Sequence, residues 1–220
     1  MINKFMKNKK FLLLSFGLLL VIIIVVLLLL FNKNHVDNIA EGNDGQKFKE
    51  EYESLNDKIT EDGKTYPKVN ISSDNIVKYA SVNEILNMLN NHGDAVVYFG
   101  YPTCLYCRNA IQVLNNVAKN TELETIYYLD VEEKNDKYDE LAQALGEELT
   151  TENNGKKEIY TPLVIFVANG KVVSYNIGTL FSQEDPYVKM DDSQIQGLSE
   201  IYEYGIRDVL VSINARKNAE

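Results

Sequence analysis

The chain's only two cysteines fall in one tetrapeptide, Cys104-Leu105-Tyr106-Cys107, where an apolar strand over residues 96–100 gives way to a helix. A thiol at a helix N-terminus faces unpaired backbone N–H groups and the positive end of the macrodipole, and both favour thiolate over thiol. Cys107, three residues on, lies on the same helical face, close enough to Cys104 to close a small disulfide ring. Such a pair opens and closes with little movement of the fold. Thiol–disulfide chemistry is therefore the leading expectation, because a purely stabilising bridge over so short a loop would constrain the unfolded chain little.

A second feature sits at the front. Residues 11–31 (FLLLSFGLLLVIIIVVLLLLF) carry no charge, and 21 helical residues rise about 31 Å, the thickness of a bilayer's hydrocarbon core. A cleaved signal peptide would have an apolar region of about 7–15 residues and a small-residue cleavage site, whereas Asn32-Lys33-Asn34-His35 follows here. The segment reads as a transmembrane anchor, with the lipid bilayer as its partner. Lys4, Lys7, Lys9 and Lys10 precede it and only Lys33 follows closely, so the N-terminus is expected in the cytoplasm and the remaining chain outside the cell membrane, in a single-pass arrangement. These five lysines precede the first acid, Asp37, which leaves 17 of the 22 basic residues against 32 acids and a net charge of about −15 beyond the span. Such a domain is repelled by nucleic acid, which is excluded as a partner.

The organisation read from the pattern is a cytoplasmic N-terminus (1–10), a transmembrane helix (11–31), an extracytoplasmic tether and spacer (32–75), and a compact domain (76–215). Residues 46–59 within the spacer read as a short charged helix with little apolar face. The domain opens with a strand at 76–79. Ser81 and Glu84 then form a capping-box pattern ahead of a helix ending near Asn91. Strand 95–100 leads into the Cys104 helix, whose Ile111, Leu114 and Val117 keep helical spacing. A strand at 125–131 and a helix at 137–145 follow, and the polar stretch 146–157 reads as an exposed loop. Strands at 163–167 and 172–176 flank an Asn169-Gly170 hairpin signal, and an amphipathic helix fits 193–214. The order is β-α-β-α-β-α-β-β-α, an α/β class.

That order, with CxxC opening the second helix, resembles the thioredoxin-like superfamily over residues 76–215. The resemblance implies a central mixed sheet flanked by helices, here preceded by the transmembrane helix. A second motif carries it further: Tyr160-Thr161-Pro162 stands at the start of the 163–167 strand, where proteins resembling thioredoxin have a cis-proline facing the CxxC. By that resemblance Cys104 is the attacking thiol and Cys107 the resolving one. Thr161 would offer its backbone beside Pro162 to an extended substrate, and Tyr101 and Tyr106 would line a substrate groove or wedge the helix against the sheet. No cofactor is implied beyond the redox-active Cys104–Cys107 disulfide. Partners are cysteine-containing proteins or peptides and an electron partner. Several positions depart from better-known members: Thr103 stands where many have tryptophan, Tyr98 where thioredoxins place a buried acid, and Tyr128 where a lysine commonly accompanies it. The segment 98–107 is also similar to accessory proteins associated with bacteriocin export, and the richness in Lys, Asn and Ile suits a low-GC Gram-positive bacterium.

Other chemistries find little support. Two histidines, His35 and His92, alongside two cysteines leave a zinc site short of ligands, so no metal is expected. The acidic stretch 130–140 lacks the glycine and spacing of a calcium loop. The expectation is thus a membrane-anchored extracytoplasmic thiol–disulfide oxidoreductase, against the alternative of a non-catalytic accessory or docking factor for an exporter or envelope complex. Protease added to intact protoplasts should remove the chain beyond Asn32 and leave the apolar segment in the membrane. Full protection of the domain, or its release without protease, would refute this topology.

Overall fold

The computed structural model describes residues 44–133 and 137–219. The stretches expected to be a cytoplasmic segment (1–10), a transmembrane helix (11–31) and the front of the tether lie outside the described residues. Among the described residues a five-stranded sheet is built from β1 (Val77–Tyr79), β2 (Ala95–Gly100), β3 (Ile126–Asp130), β6 (Leu163–Ala168) and β7 (Lys171–Ile177), in the order β1-β3-β2-β6-β7. β1, β3 and β2 run parallel, and β6 and β7 add antiparallel to them. The helices are α1 (Asp44–Glu53), α2 (Val82–Asn90), α3 (Leu105–Lys119), α4 (Tyr138–Leu145) and α5 (Asp192–Lys217). A central mixed sheet flanked by helices is the architecture that the resemblance implies.

β2 is central, and all six of its residues are buried. Its alternation divides the core: Val96 and Tyr98 face α1, α3 and α5, while Val97 and Phe99 face α2 and α4. A strand covered on both faces reads as a continuous apolar run, which is how it stands in the sequence. Ser81 and Glu84 form the capping box of α2, each bonding the other's backbone N–H. The Asn169-Gly170 turn has φ of 52° and 75°, the paired positive values of a two-residue hairpin loop.

Two expectations are corrected. The helix over 44–53 is not a spacer: Phe48 and Tyr52 are fully buried in the main core, and the compact unit begins at Asp44 instead of near Ile76. Phe48 and Tyr52 stand four residues apart on one helical stripe, enough to seat α1 even though its other positions are polar. The Phe48 ring meets Tyr128 edge-on at 4.8 Å. Glu53 Oε1 accepts from the Ile71 N–H at 2.8 Å, and Asn56 bonds both the N–H and C=O of Val69, so the chain from α1 to β1 is fastened along its length. The stretch 146–157 is likewise not a bare loop. A 3₁₀ turn (Glu147–Leu149) precedes a two-stranded hairpin, β4 (Thr150–Asn153) and β5 (Lys156–Ile159), turning at Asn154-Gly155. Its strands are polar because most of their positions face water, so the pattern lacks the apolar alternation that marks a half-buried strand.

Phe48→Ala should lower stability by about 3–5 kcal/mol, the usual result of removing a buried aromatic ring. Chemical denaturation of the chain from Asp44 onward measures it, and a loss within ordinary surface values would show that α1 is not part of the core.

Candidate functional site

α3 starts from the C-terminal end of β2, and its N-cap is Cys104, whose extended backbone (φ −70°, ψ 116°) lets Sγ accept from the Cys107 N–H at 3.1 Å. Cys104 and Cys107 are joined as a disulfide with Cα atoms 5.1 Å apart. Cys104 is half-buried and Cys107 wholly buried, so only the first sulfur faces outward. On reduction, the N–H that points at Cys104 Sγ favours its thiolate.

Pro162 arrives by register. β6 pairs antiparallel with β2, with Leu163 opposite Phe99, which places Pro162 beside the loop that carries the cysteines. The Thr161–Pro162 bond is cis. No hydrogen bond among the described residues engages the Thr161 backbone N–H or C=O. Thr161 shares one hollow, of about 560 Å³, with Tyr106, and a second, of about 340 Å³, with Tyr101. The four residues expected to meet substrate therefore surround the disulfide-bearing turn.

Beneath Cys107 lies a buried group of phenols. The Tyr98 hydroxyl is within donating reach of the Cys107 carbonyl at 3.4 Å and lies 2.9 Å from the Tyr52 hydroxyl, a pair in which either phenol can donate. Tyr98 stacks on Tyr128 with centroids 5.5 Å apart, and the Tyr128 hydroxyl reaches Asp130 Oδ2 at 3.4 Å. Burial pushes Tyr98 and Tyr52 well above the ordinary phenol pKa and raises Tyr128 too. Desolvation, ahead of the Glu133 charge, raises half-buried Asp130. A Cβ added at Gly100 would stand 2.5 Å from the Tyr98 oxygen and 3.2 Å from Cys107 Sγ, so hydroxyl and sulfur are separated by no more than those distances together. Glycine is thus required for β2 to end against the redox pair. Where the resemblance places an acid, this chain has a hydroxyl that remains neutral and donates.

Arg108, adjoining the pair, is a site residue that sequence reading misses. It is fully buried, and its guanidinium donates to the carbonyls of Pro67 (2.7 Å), Tyr52 (2.7 Å) and Pro102 (3.2 Å) and to Asn56 Oδ1 (2.8 Å). Desolvation holds its pKa below the ordinary value, yet arginine stays charged. One of its partners, Pro102, is two residues from Cys104, so the guanidinium helps to hold the loop that leads into the outward-facing cysteine. The loop 178–191 was also unforeseen. The Tyr106 hydroxyl donates to the Glu184 carbonyl at 3.0 Å and Asn109 Nδ2 to the Pro186 carbonyl at 2.9 Å, which ties that loop to the first turns of α3.

No family model matches the chain, and no curated protein matches it. Among solved structures it is similar to the solution structure of desulfothioredoxin from Desulfovibrio vulgaris Hildenborough in its reduced form. The two share 22% identity with a TM-score of 0.35, over 56% of this chain and 94% of that one. What the site can do chemically is therefore set by this chain's own residues: a disulfide-forming pair with one exposed and one buried sulfur is suited to thiol–disulfide redox chemistry. Among the described residues no group of three or more His, Cys, Asp or Glu could hold a metal ion.

In the reduced chain, limited alkylation near neutral pH should label Cys104 well ahead of Cys107. Mass spectrometry of the partly modified protein reads the order, and equal labelling would contradict this geometry.

Proposed function

We propose that the chain is a membrane-anchored, extracytoplasmic thiol–disulfide oxidoreductase acting on cysteine-containing proteins or peptides. The observation that carries this reading is the pair of a half-buried Cys104 and a wholly buried Cys107 at the start of α3, set beside a Thr161 backbone that has no hydrogen bond among the described residues. In the reducing direction Cys104 thiolate attacks one sulfur of a substrate disulfide. The new Cys104–substrate bond forms as the substrate's second sulfur leaves as thiolate. Cys107 then gives its proton to the substrate thiolate released in the first step and attacks Cys104 Sγ, the mixed disulfide breaks with the substrate's first sulfur leaving as thiolate, and the substrate departs reduced while two electrons have left the protein pair. Oxidation of substrates runs the same steps backwards, and the direction is set by potential differences of about 30 mV for every 1.4 kcal/mol. The substrate backbone pairs with Thr161 as an added strand, which holds the reacting sulfur over Cys104.

Cys107 attacks as its thiolate. Tyr98, held neutral by burial, donates to the Cys107 carbonyl, so the group packed at the second cysteine's backbone carries no charge of its own.

Cys107→Ser should stall the reaction as an intermolecular disulfide through Cys104. Acid-quenched, non-reducing purification of that variant from cells should yield reducible high-mass adducts that disappear in the Cys104→Ser/Cys107→Ser double mutant. Absence of adducts together with normal complementation by the double mutant would overturn the oxidoreductase reading in favour of a docking factor.

A further inference from the structure

Thr161 lines two hollows of different chemistry, one on either side of the disulfide-bearing turn. The larger is walled by Tyr106, Ile177, Leu180 and Phe181, with Glu184 at its edge. Phe181 is fully exposed, although the loop that carries it is not loose. Besides its ties to Tyr106 and Asn109, that loop is held by Gln194 Nε2 to the Ser182 carbonyl (2.8 Å), by Gln183 Nε2 to the Val188 carbonyl (3.0 Å), and by the Tyr187 hydroxyl to Asp62 (2.7 Å). A phenyl ring presented to water by a loop fastened at five points is a contact surface in search of an apolar partner. Gln183 Oε1, shut in beside it, has no hydrogen-bond partner.

The smaller hollow is walled by Tyr101, Val131, Tyr138 and Ile159 and carries Glu132 and Glu158. Among the described residues, the charged ones that line the two hollows are acidic. An extended strand paired with Thr161 passes from one hollow to the other, and residues two apart on it point to the same side about 6.5–7 Å apart. We propose that the substrate recognised here is an extended polypeptide whose reacting cysteine has a large apolar side chain to one side, received against Phe181, and a basic side chain to the other, received by Glu132. This deepens the oxidoreductase reading and rests on it.

The test uses the reduced full chain in detergent micelles. Its substrates are symmetrical disulfides of short single-cysteine peptides that carry Phe or Ser on one flank and Lys or Glu on the other, in both orders, with bis(2-hydroxyethyl) disulfide as a small neutral reference. In each reaction one peptide disulfide becomes two thiols and Cys104–Cys107 becomes the disulfide, so stopped-flow mixing with acid quench reads the rate constant directly. The Phe/Lys peptide in one of the two orders should react about tenfold or more faster than Ser/Glu, relative to the reference. Phe181→Ser should lower the Phe-over-Ser ratio. Glu132→Lys should reverse the Lys-over-Glu ratio, and that ratio should shrink at high salt, since exposed charges are screened beyond about 8 Å at physiological ionic strength. Equal rates for all peptides, with the reference disulfide still reduced, would overturn this inference and leave the oxidoreductase intact. Failure to react with any disulfide would overturn both.

Discussion

The buried guanidinium of Arg108 joins three parts of the chain that have little else in common. It reaches the last turn of α1 through the Tyr52 carbonyl, the connection to β1 through Pro67 and Asn56, and the approach to the cysteines through Pro102. Each acceptor matches a need. Tyr52 belongs to the end of a helix, where carbonyls lack intrahelical partners and a cation is favoured, and the two proline carbonyls lie in irregular segments without a ladder. Burying a charge without a carboxylate costs free energy unless its donors are satisfied, and here they go to three backbone carbonyls and the Asn56 side chain. The same group that fastens the N-terminal segment therefore also holds the approach to the redox turn.

The phenols above α1 depend on that fastening. Tyr52 reaches Tyr98 only because α1 lies against β3 and β2, and Tyr98 reaches the Cys107 carbonyl only because Gly100 leaves room for it. In a low-dielectric interior a neutral donor is far less costly to keep than an unpaired carboxylate. A redox pair resting on hydroxyls thus has a buried sulfur whose environment changes little in charge with pH, apart from Asp130 at the half-exposed end of the group. The outward-facing sulfur lies in a different setting, accepting from the Cys107 N–H at the start of α3.

Around this pair the walls come from segments distant in sequence. Tyr101 and Tyr106 flank the turn, Thr161 crosses between two hollows, and the 178–191 loop is fastened both to α3 and, through Tyr187, to Asp62 in the N-terminal connection. The segment between α1 and β1 is consequently part of the frame of the site.

Much of this was legible locally. Strand β2, the N-cap at Cys104, the Ser81–Glu84 box and the Asn169-Gly170 turn each depend on residues within a few positions of one another, so periodicity and capping chemistry reveal them. Pro162 was placed by resemblance, and the antiparallel register of β6 on β2 then brings it beside the cysteines. The seat of α1 was visible only as two aromatics four residues apart among charges, and the β4–β5 hairpin was masked by strands that face water. Arg108 carried no local sign: an arginine in the first turns of a helix reads as a solvated charge, and its burial is decided by carbonyls 41 and 56 residues away in sequence. The same holds for Phe181 and for the hydroxyl partner of Tyr98. Local spacing determined which elements form and where a reactive thiol starts a helix. Only the tertiary fold, by bringing backbone acceptors and donors from remote segments into one desolvated space, decided which charges and hydroxyls surround it.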